Sequence, residues 1–251
     1  CRVSKLQQRL MRELRQNRNI KIVKTAEWCI PIRTVDVTYE PVRRSTMDVL
    51  MTMLLLSIQE ADFGNVEELS ELLLVDPLFI EDLMSLMIRV GLMKNEEGFF
   101  KLTEKGQQQL EQGIFEEELE VEASTLYFSP CHQSFLTSDV NNDEYDELPE
   151  LYRYVDKEAE QQEQFDESLI IAALQEVDKE DTGNSQRIIA RVVEVEAQQI
   201  NDSPCLEFIL YDKEQDILFV RVWNMLLNQW DHCLEQQLTD KEQLMWREQY
   251  L

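Results

Sequence analysis

The sequence predicts an α+β protein, and three observations carry that prediction. Apolar residues recur at helical spacing through most of residues 46–110. They alternate at period two over Ile20 to Tyr39 and again in the C-terminal third. Hydrophobic content is 43%, with only six Gly and six Pro, which favours regular elements around buried cores. The 251 residues admit one large domain or two to three small ones. Four consecutive segments are expected: 1–45, a basic helix and an extended strand; 46–113, a helical module with one hairpin; 114–164, an acidic connector; and 165–251, a small α+β domain.

Residues 2–17 read as a basic amphipathic helix. Leu6, Leu10 and Leu14 recur every four residues, and Arg2, Lys5, Arg9, Arg12 and Arg15 are spaced by three or four. Ile20 to Tyr39 reads as extended. Trp28, Ile30 and Ile32 hold one phase and Val35, Val37 and Tyr39 the other, so a turn or bulge is expected at Arg33-Thr34. Pro31 argues for an edge position or a local irregularity.

Met47, Leu50, Met51, Leu54, Leu55 and Ile58 make the apolar face of a helix over 46–60, with Thr46 as the expected N-cap. Asn65 caps a short helix from Val66 to Val75. Asp76-Pro77 pairs an N-cap with proline at the first helical position and starts a third helix, which ends at Gly91. A hairpin follows, with its turn over Asn95 to Gly98. Thr103 caps a last helix that ends near Gly113.

The order helix, short helix, helix, hairpin, helix resembles a winged helix. Arg89-Val90-Gly91-Leu92-Met93, followed by Phe100-Lys101-Leu102-Thr103-Glu104-Lys105-Gly106, is similar to the wing of MarR-type and related regulators. The resemblance covers about a quarter of the chain and implies the fold rather than the function, because winged helices bind DNA, RNA and proteins.

Phe165 to Val177 is expected as a helix. A three-stranded antiparallel meander is expected from Ile188–Val195, Cys205–Tyr211 and Ile217–Val222, closed by helices over 225–237 and 240–250. Trp223, Trp230 and Trp246 are its expected core and rim. Between the acidic stretches 115–125 and 139–167, Ser124 to Leu136 is expected to hold one or two strands, and Asp139 to Glu150 is expected as an acidic loop or linker.

Charge separates the segments. The formal net charge is -26, yet residues 1–45 carry eleven Lys and Arg against four Asp and Glu. A DNA-reading third helix needs Arg, Lys, Asn, Gln or Ser at its exposed positions. Here that helix offers Glu81, Asp82, Ser85 and Arg89, and the wing offers Lys94 beside Glu96 and Glu97. Those carboxylates oppose a phosphate array, so protein docking is the expected use of the third helix and wing. The basic residues Arg2, Lys5, Arg9, Arg12, Arg15, Arg43 and Arg44 are the candidates for contact with nucleic acid or with an acidic partner. In a chain this acidic, pairing with its own acidic surface or with an acidic partner is expected ahead of contact with nucleic acid.

Other chemistries find little support in the sequence. The five Cys are widely spaced without CxxC, so a reducing cytoplasm is expected, and no disulfide framework. Cys131-His132 and His232-Cys233 lack zinc-ligand spacing. The Asp139 loop places Glu144 where a calcium loop needs Gly. There is no GxSxG, P-loop or GxGxxG, and only two His are available for base work. No cofactor, metal or membrane span is expected. The expected function is that of a non-catalytic adaptor or complex subunit that binds protein, homo-oligomerises or contacts nucleic acid indirectly. The alternative is a DNA-binding regulator that grips phosphates through its basic N-terminal region.

Overall fold

The computed structural model describes residues 2–137, 145, 147–178 and 183–251. Most of the expected Asp139 to Glu150 loop lies outside the described residues. In order, the elements are α1 (Arg2–Leu14), β1 (Ile20–Thr46), α2 (Val49–Glu60), α3 (Val66–Leu73), α4 (Pro77–Arg89), β2 (Met93–Glu96), β3 (Phe99–Leu102), α5 (Glu104–Gln112), β4 (Ile114–Glu118), β5 (Glu122–Ser129), β6 (Ser134–Leu136), α6 (Lys157–Glu160), α7 (Glu167–Val177), β7 (Ser185–Asp212), β8 (Ile217–Asn224), β9 (Gln229–Trp230) and α8 (His232–Tyr250). The class is mixed α and β. Seven strands form one sheet ordered β6-β5-β1-β7-β8-β9, with β4 also paired to β1, while β2 and β3 form a separate hairpin.

Two compact units are present, and neither is continuous in sequence. Unit 1 comprises Cys1–Val37, Ala123–Val177 and Glu194–Leu251; unit 2 comprises Thr38–Glu122 and Asp178–Val193. The long strands β1 and β7 each contribute residues to both units, so the chain is not parcelled into the four consecutive segments expected.

Unit 1 is built on the two faces of β7 and β8. Ser203 to Leu210 is buried without a break, the signature of a strand covered on both sides. Leu206, Phe208 and Leu210 pack with Leu10 of α1 and Met225. Cys205 and Ile209 point the other way, toward Trp28, Leu234, Leu238 and Trp246. Trp246 is core, as expected, while Trp223 and Trp230 pack edge to face against the Leu206 and Phe208 cluster on the other side. Between Cys205 and Ile209 sits Glu207, only 1% exposed. Its carboxylate accepts from Trp28 Nε1 at 2.6 Å and from Arg153 at 3.0 Å. Arg153 reaches it because residues 150–152 run beside β1: Cys29 N donates to Glu150 O and Tyr152 N to Cys29 O. Arg153 also grips Glu242 of α8 at 2.6 Å. A buried carboxylate without such partners would be strongly destabilising.

Unit 2 holds the helices around Leu54, Leu55, Leu69, Ile80, Met87 and Leu92, all fully buried. Its caps follow local chemistry. Asn65 Oδ1 accepts from Glu68 N, and Asp76 Oδ1 accepts from Leu78 N with Pro77 at the first helical position. Thr103 Oγ1 accepts from Gly106 N and donates to the Gly91 carbonyl at 2.5 Å. Lys105 Nζ donates to Val90 O, an end carbonyl of α4. Glu97 and Gly98 both take positive φ, as a two-residue hairpin turn requires.

Several expectations need correction. Asp48, not Thr46, caps α2, because Thr46 is spent as the last residue of β1. Within the acidic connector, the Ser124 to Leu136 stretch read as one or two strands forms β5 and β6, and β4 enters the sheet unexpectedly, with Arg43 and Arg44 opposite Glu117 and Glu116 in the β1–β4 ladder. Ile188–Val195 and Cys205–Tyr211 are not two strands of a meander but parts of the single 28-residue β7. Asp202-Ser203-Pro204 resembles a turn, yet no residue between β7's ends takes the positive φ of a tight reversal. The observed meander is β7-β8-β9. The two closing helices are one, α8. Thr239-Asp240 looks like a break, but Thr239 Oγ1 bonds back to Glu235 O and the helix continues.

Gly106 is the tightest point of unit 2. A Cβ there would lie 1.9 Å from Leu92 O and 2.8 Å from Leu92 C, both backbone atoms. Gly106→Ala is expected to lower stability by ~3 kcal/mol through overpacking that cannot relax. Urea denaturation reads this as a lower midpoint. An unchanged midpoint would mean that α5 does not approach Leu92 this closely.

Candidate interaction surfaces

Helix α4 displays an acidic and apolar face. Ile80, Met84 and Met87 turn inward, which leaves Leu78, Phe79, Glu81, Asp82, Ser85, Ile88 and Arg89 exposed. Lys94 in β2 is exposed but paired with Glu96 at 3.0 Å, and Lys101 in β3 is paired with Asp62. Arg89 is therefore the one expected cation of this surface that no carboxylate takes up among the described residues. Phosphate would meet Glu81, Asp82, Glu96 and Glu97 first.

Beside this face lies a feature that the sequence reading missed. Leu74, at the C-cap of α3, adopts φ 56° and ψ 41° and is 91% exposed. Leu78 is 70% and Phe79 68% exposed, and Leu72 is exposed as well. A left-handed leucine costs about 1–2 kcal/mol, and its side chain recovers none of that by burial. Asn or Gly would serve the cap better. A Leu immediately past the last inward leucine was the available signal, but helical periodicity alone assigns it to the helix.

The basic candidates divide. Arg2 opens α1. Lys5, Arg9, Arg12 and Arg15 are exposed along α1 and just beyond it, and none forms an ion pair among the described residues. Arg12 Nε reaches only the Gln8 carbonyl, at 3.4 Å. Arg44, by contrast, is held by Glu116, and Arg43 stands opposite Glu117. The structure thus keeps the α1 residues together and draws Arg44 into β-ladder pairing.

The structure also assembles a Ser–His–Asp cluster in unit 1. His132 Nδ1 is 2.5 Å from Ser129 Oγ, and its Nε2 is 2.7 Å from Asp231 Oδ2. The ionised Asp231 can only accept, so Nε2 carries hydrogen; with the ring neutral, Ser129 donates to Nδ1. Asp231 also accepts from Asn224 Nδ2 at 2.9 Å and caps α8 through Leu234 N at 3.1 Å. Ser129 is fully buried, so a substrate has no approach to its hydroxyl. The cluster is a bracket that ties the turn after β5 to the start of α8. Its members lie 99 positions apart, beyond the reach of local pattern reading.

The adjacent thiol belongs to the core. Burial, with Asp231 nearby, pushes Cys131 up to about 12, far from the thiolate that a metal needs. His232 instead turns to Glu235 at 3.2 Å. Among the described residues no group of three or more His, Cys, Asp or Glu could hold a metal ion, and no helix is long and apolar enough to cross a membrane. No protein-family model, curated protein or solved structure matches the chain.

Burial raises the Asp231 pKa, but hydrogen bonds from His132, Asn224 and the Leu234 N–H outweigh it and hold the group below the ordinary carboxylate value. A depressed folded-state pKa contributes stability above the unfolded value of ~3.9 that is lost as pH falls through the folded one. Asp231→Asn is expected to cost ~2 kcal/mol at pH 7. Its deficit against the parent should narrow below about pH 4. Chemical denaturation at pH 7 and pH 3 measures both, and a deficit of constant size would contradict the assignment.

Proposed function

We propose that residues 46–113 form a winged-helix module that docks protein, so that the chain acts as a non-catalytic subunit or adaptor of a larger assembly. The observation that carries this reading is the exposed cluster Leu72, Leu74, Leu78 and Phe79, flanked by Glu81 and Asp82. Apolar side chains grouped in water favour burial by a partner, and such anchors supply most of an interface's energy. The strained, exposed Leu74 strengthens the case, since folding alone favours another residue there. Carboxylates around the cluster disfavour a nucleic-acid ligand at α4 and the β2–β3 wing.

The winged-helix assignment is supported by the order α2, α3, α4, β2, β3, α5 and by the interactions of Thr103, Lys105 and Gly106. These residues account physically for the similarity to the MarR-type wing. Thr103 caps α5 and ties Gly91, Lys105 closes the end of α4, and Gly106 admits the Leu92 backbone.

Two substitutions separate docking from folding. Leu74→Asn should stabilise the chain by about 0.5–1 kcal/mol by relieving the left-handed leucine, yet weaken capture of its partner. Phe79→Asp should abolish capture. The measurement is co-purification of the tagged full chain from its native host with quantitative mass spectrometry, beside a thermal melt of each variant. A parent that stays monomeric and captures nothing, or variants that retain the same partners at the same stoichiometry, would remove the basis for this function.

A further inference from the structure

We propose that α1 is a phosphate-binding helix that grips duplex nucleic acid without reading its sequence. Leu10 is fully buried among Leu206, Phe208, Leu210 and Met225, with Val3, Leu6, Met11 and Leu14 packed around it. At 100° per residue, Lys5, Arg9 and Arg12 project from the opposite side within an arc of roughly 60°. Their Cα positions span about 10 Å of helix axis, and Arg15 and Arg18 extend the row beyond α1. The apolar face anchors the helix, so the basic face is displayed on a fixed support.

Among the described residues, no carboxylate pairs with Lys5, Arg9, Arg12, Arg15 or Arg18, although the chain has 50 Asp and Glu. Within the described residues, then, the stripe does not serve the chain's own acidic surface. Glu13 lies on the same helix, and the carboxylate of Glu214 is bound by Asn19. More distant carboxylates are screened beyond ~8 Å at physiological salt.

The makeup of the surface selects the ligand. A protein interface needs apolar or aromatic anchors, and those of α1 are already buried in unit 1. Insertion into a membrane surface needs the same missing residues. Single strands are held by exposed aromatic platforms, and α1 has no aromatic residue. What remains is charge with hydrogen-bond donors: four of the five cations are arginines, suited to bidentate contact with phosphate, and Gln8, Gln16 and Asn17 are interleaved and exposed. A duplex presents one negative charge per ~1.7 Å of axis, so the row meets several phosphates at once.

The test uses the full chain and a fluorescent 20-base-pair DNA of arbitrary sequence, titrated by anisotropy at several salt concentrations. Five phosphate contacts give a log–log salt slope of about -4.5. Arg9→Gln/Arg12→Gln/Arg15→Gln should make the slope shallower by about 2.7 and weaken binding at least tenfold at low salt, with circular dichroism and thermal midpoint unchanged. A second duplex of unrelated sequence should bind equally. Phe79→Asp should bind like the parent, so this result does not depend on the docking function of α4. The proposal is overturned by no binding at low salt, by a triple variant that binds like the parent, or by equal or tighter binding to a poly-glutamate peptide or phosphatidylserine vesicles.

Discussion

Fifty carboxylates share twenty-four lysines and arginines, and this scarcity of positive charge constrains how the molecule is held together. A carboxylate taken out of water has to be paired or hydrogen-bonded. Glu207 is the extreme case. It lies on a strand covered on both faces, and among the described residues Trp28 from β1 and Arg153 from the acidic stretch before α6 satisfy it. Arg153 serves Glu242 as well, so one guanidinium joins β7, α8 and the segment alongside β1. The same economy recurs in unit 2, where Arg187 meets both Glu122 and Asp178 and Arg191 meets Glu40. Most of these pairs are partly exposed, and each adds little by itself. Their joint effect is to fix which segments lie together.

Against that background, two surfaces stand apart for opposite reasons. On α1 and just beyond it, Lys5, Arg9, Arg12, Arg15 and Arg18 have no ion-pair partner among the described residues, in a chain that is short of cations. At the α3–α4 junction, leucines and a phenylalanine are left in water, while many of the chain's other apolar residues pack into buried clusters. Both departures come at a cost to the isolated chain. Unpaired arginines forgo stabilising contacts, and Leu74 carries backbone strain besides its exposure. Sites that break local rules without an internal return are where a ligand is expected to supply one. The two surfaces differ in chemistry, charge at one and apolar area at the other, which is why they are assigned to different classes of partner.

Local chemistry was legible in the sequence. Asn65, Asp76-Pro77, Gly91, Thr103 and Gly113 each act on atoms within a few residues, and the structure finds every one in its expected place. The amphipathic α1 and the phase change within β1 were legible for the same reason. Nonlocal consequences were not. A stretch such as Asp202-Ser203-Pro204 carries turn residues, but neighbouring strands decide whether it turns. Strand β4 looked like part of an acidic connector because its carboxylates are answered by partners far along the chain. Glu116, for instance, meets Arg44, 72 positions away. The Ser129, His132 and Asp231 bracket and the left-handed Leu74 escaped for related reasons, since neither long-range pairing nor backbone sign has a period to detect.

The most direct measurement is hydroxyl-radical footprinting of the full chain, free and bound to duplex DNA. The account predicts protection confined to side chains of residues 5–18, while Leu74, Leu78, Phe79 and Phe99 remain as reactive as in the free protein. Protection of Leu78 and Phe79, or of Phe99 at the hairpin, would place nucleic acid on α4 and the wing and contradict the assignment of those surfaces to protein.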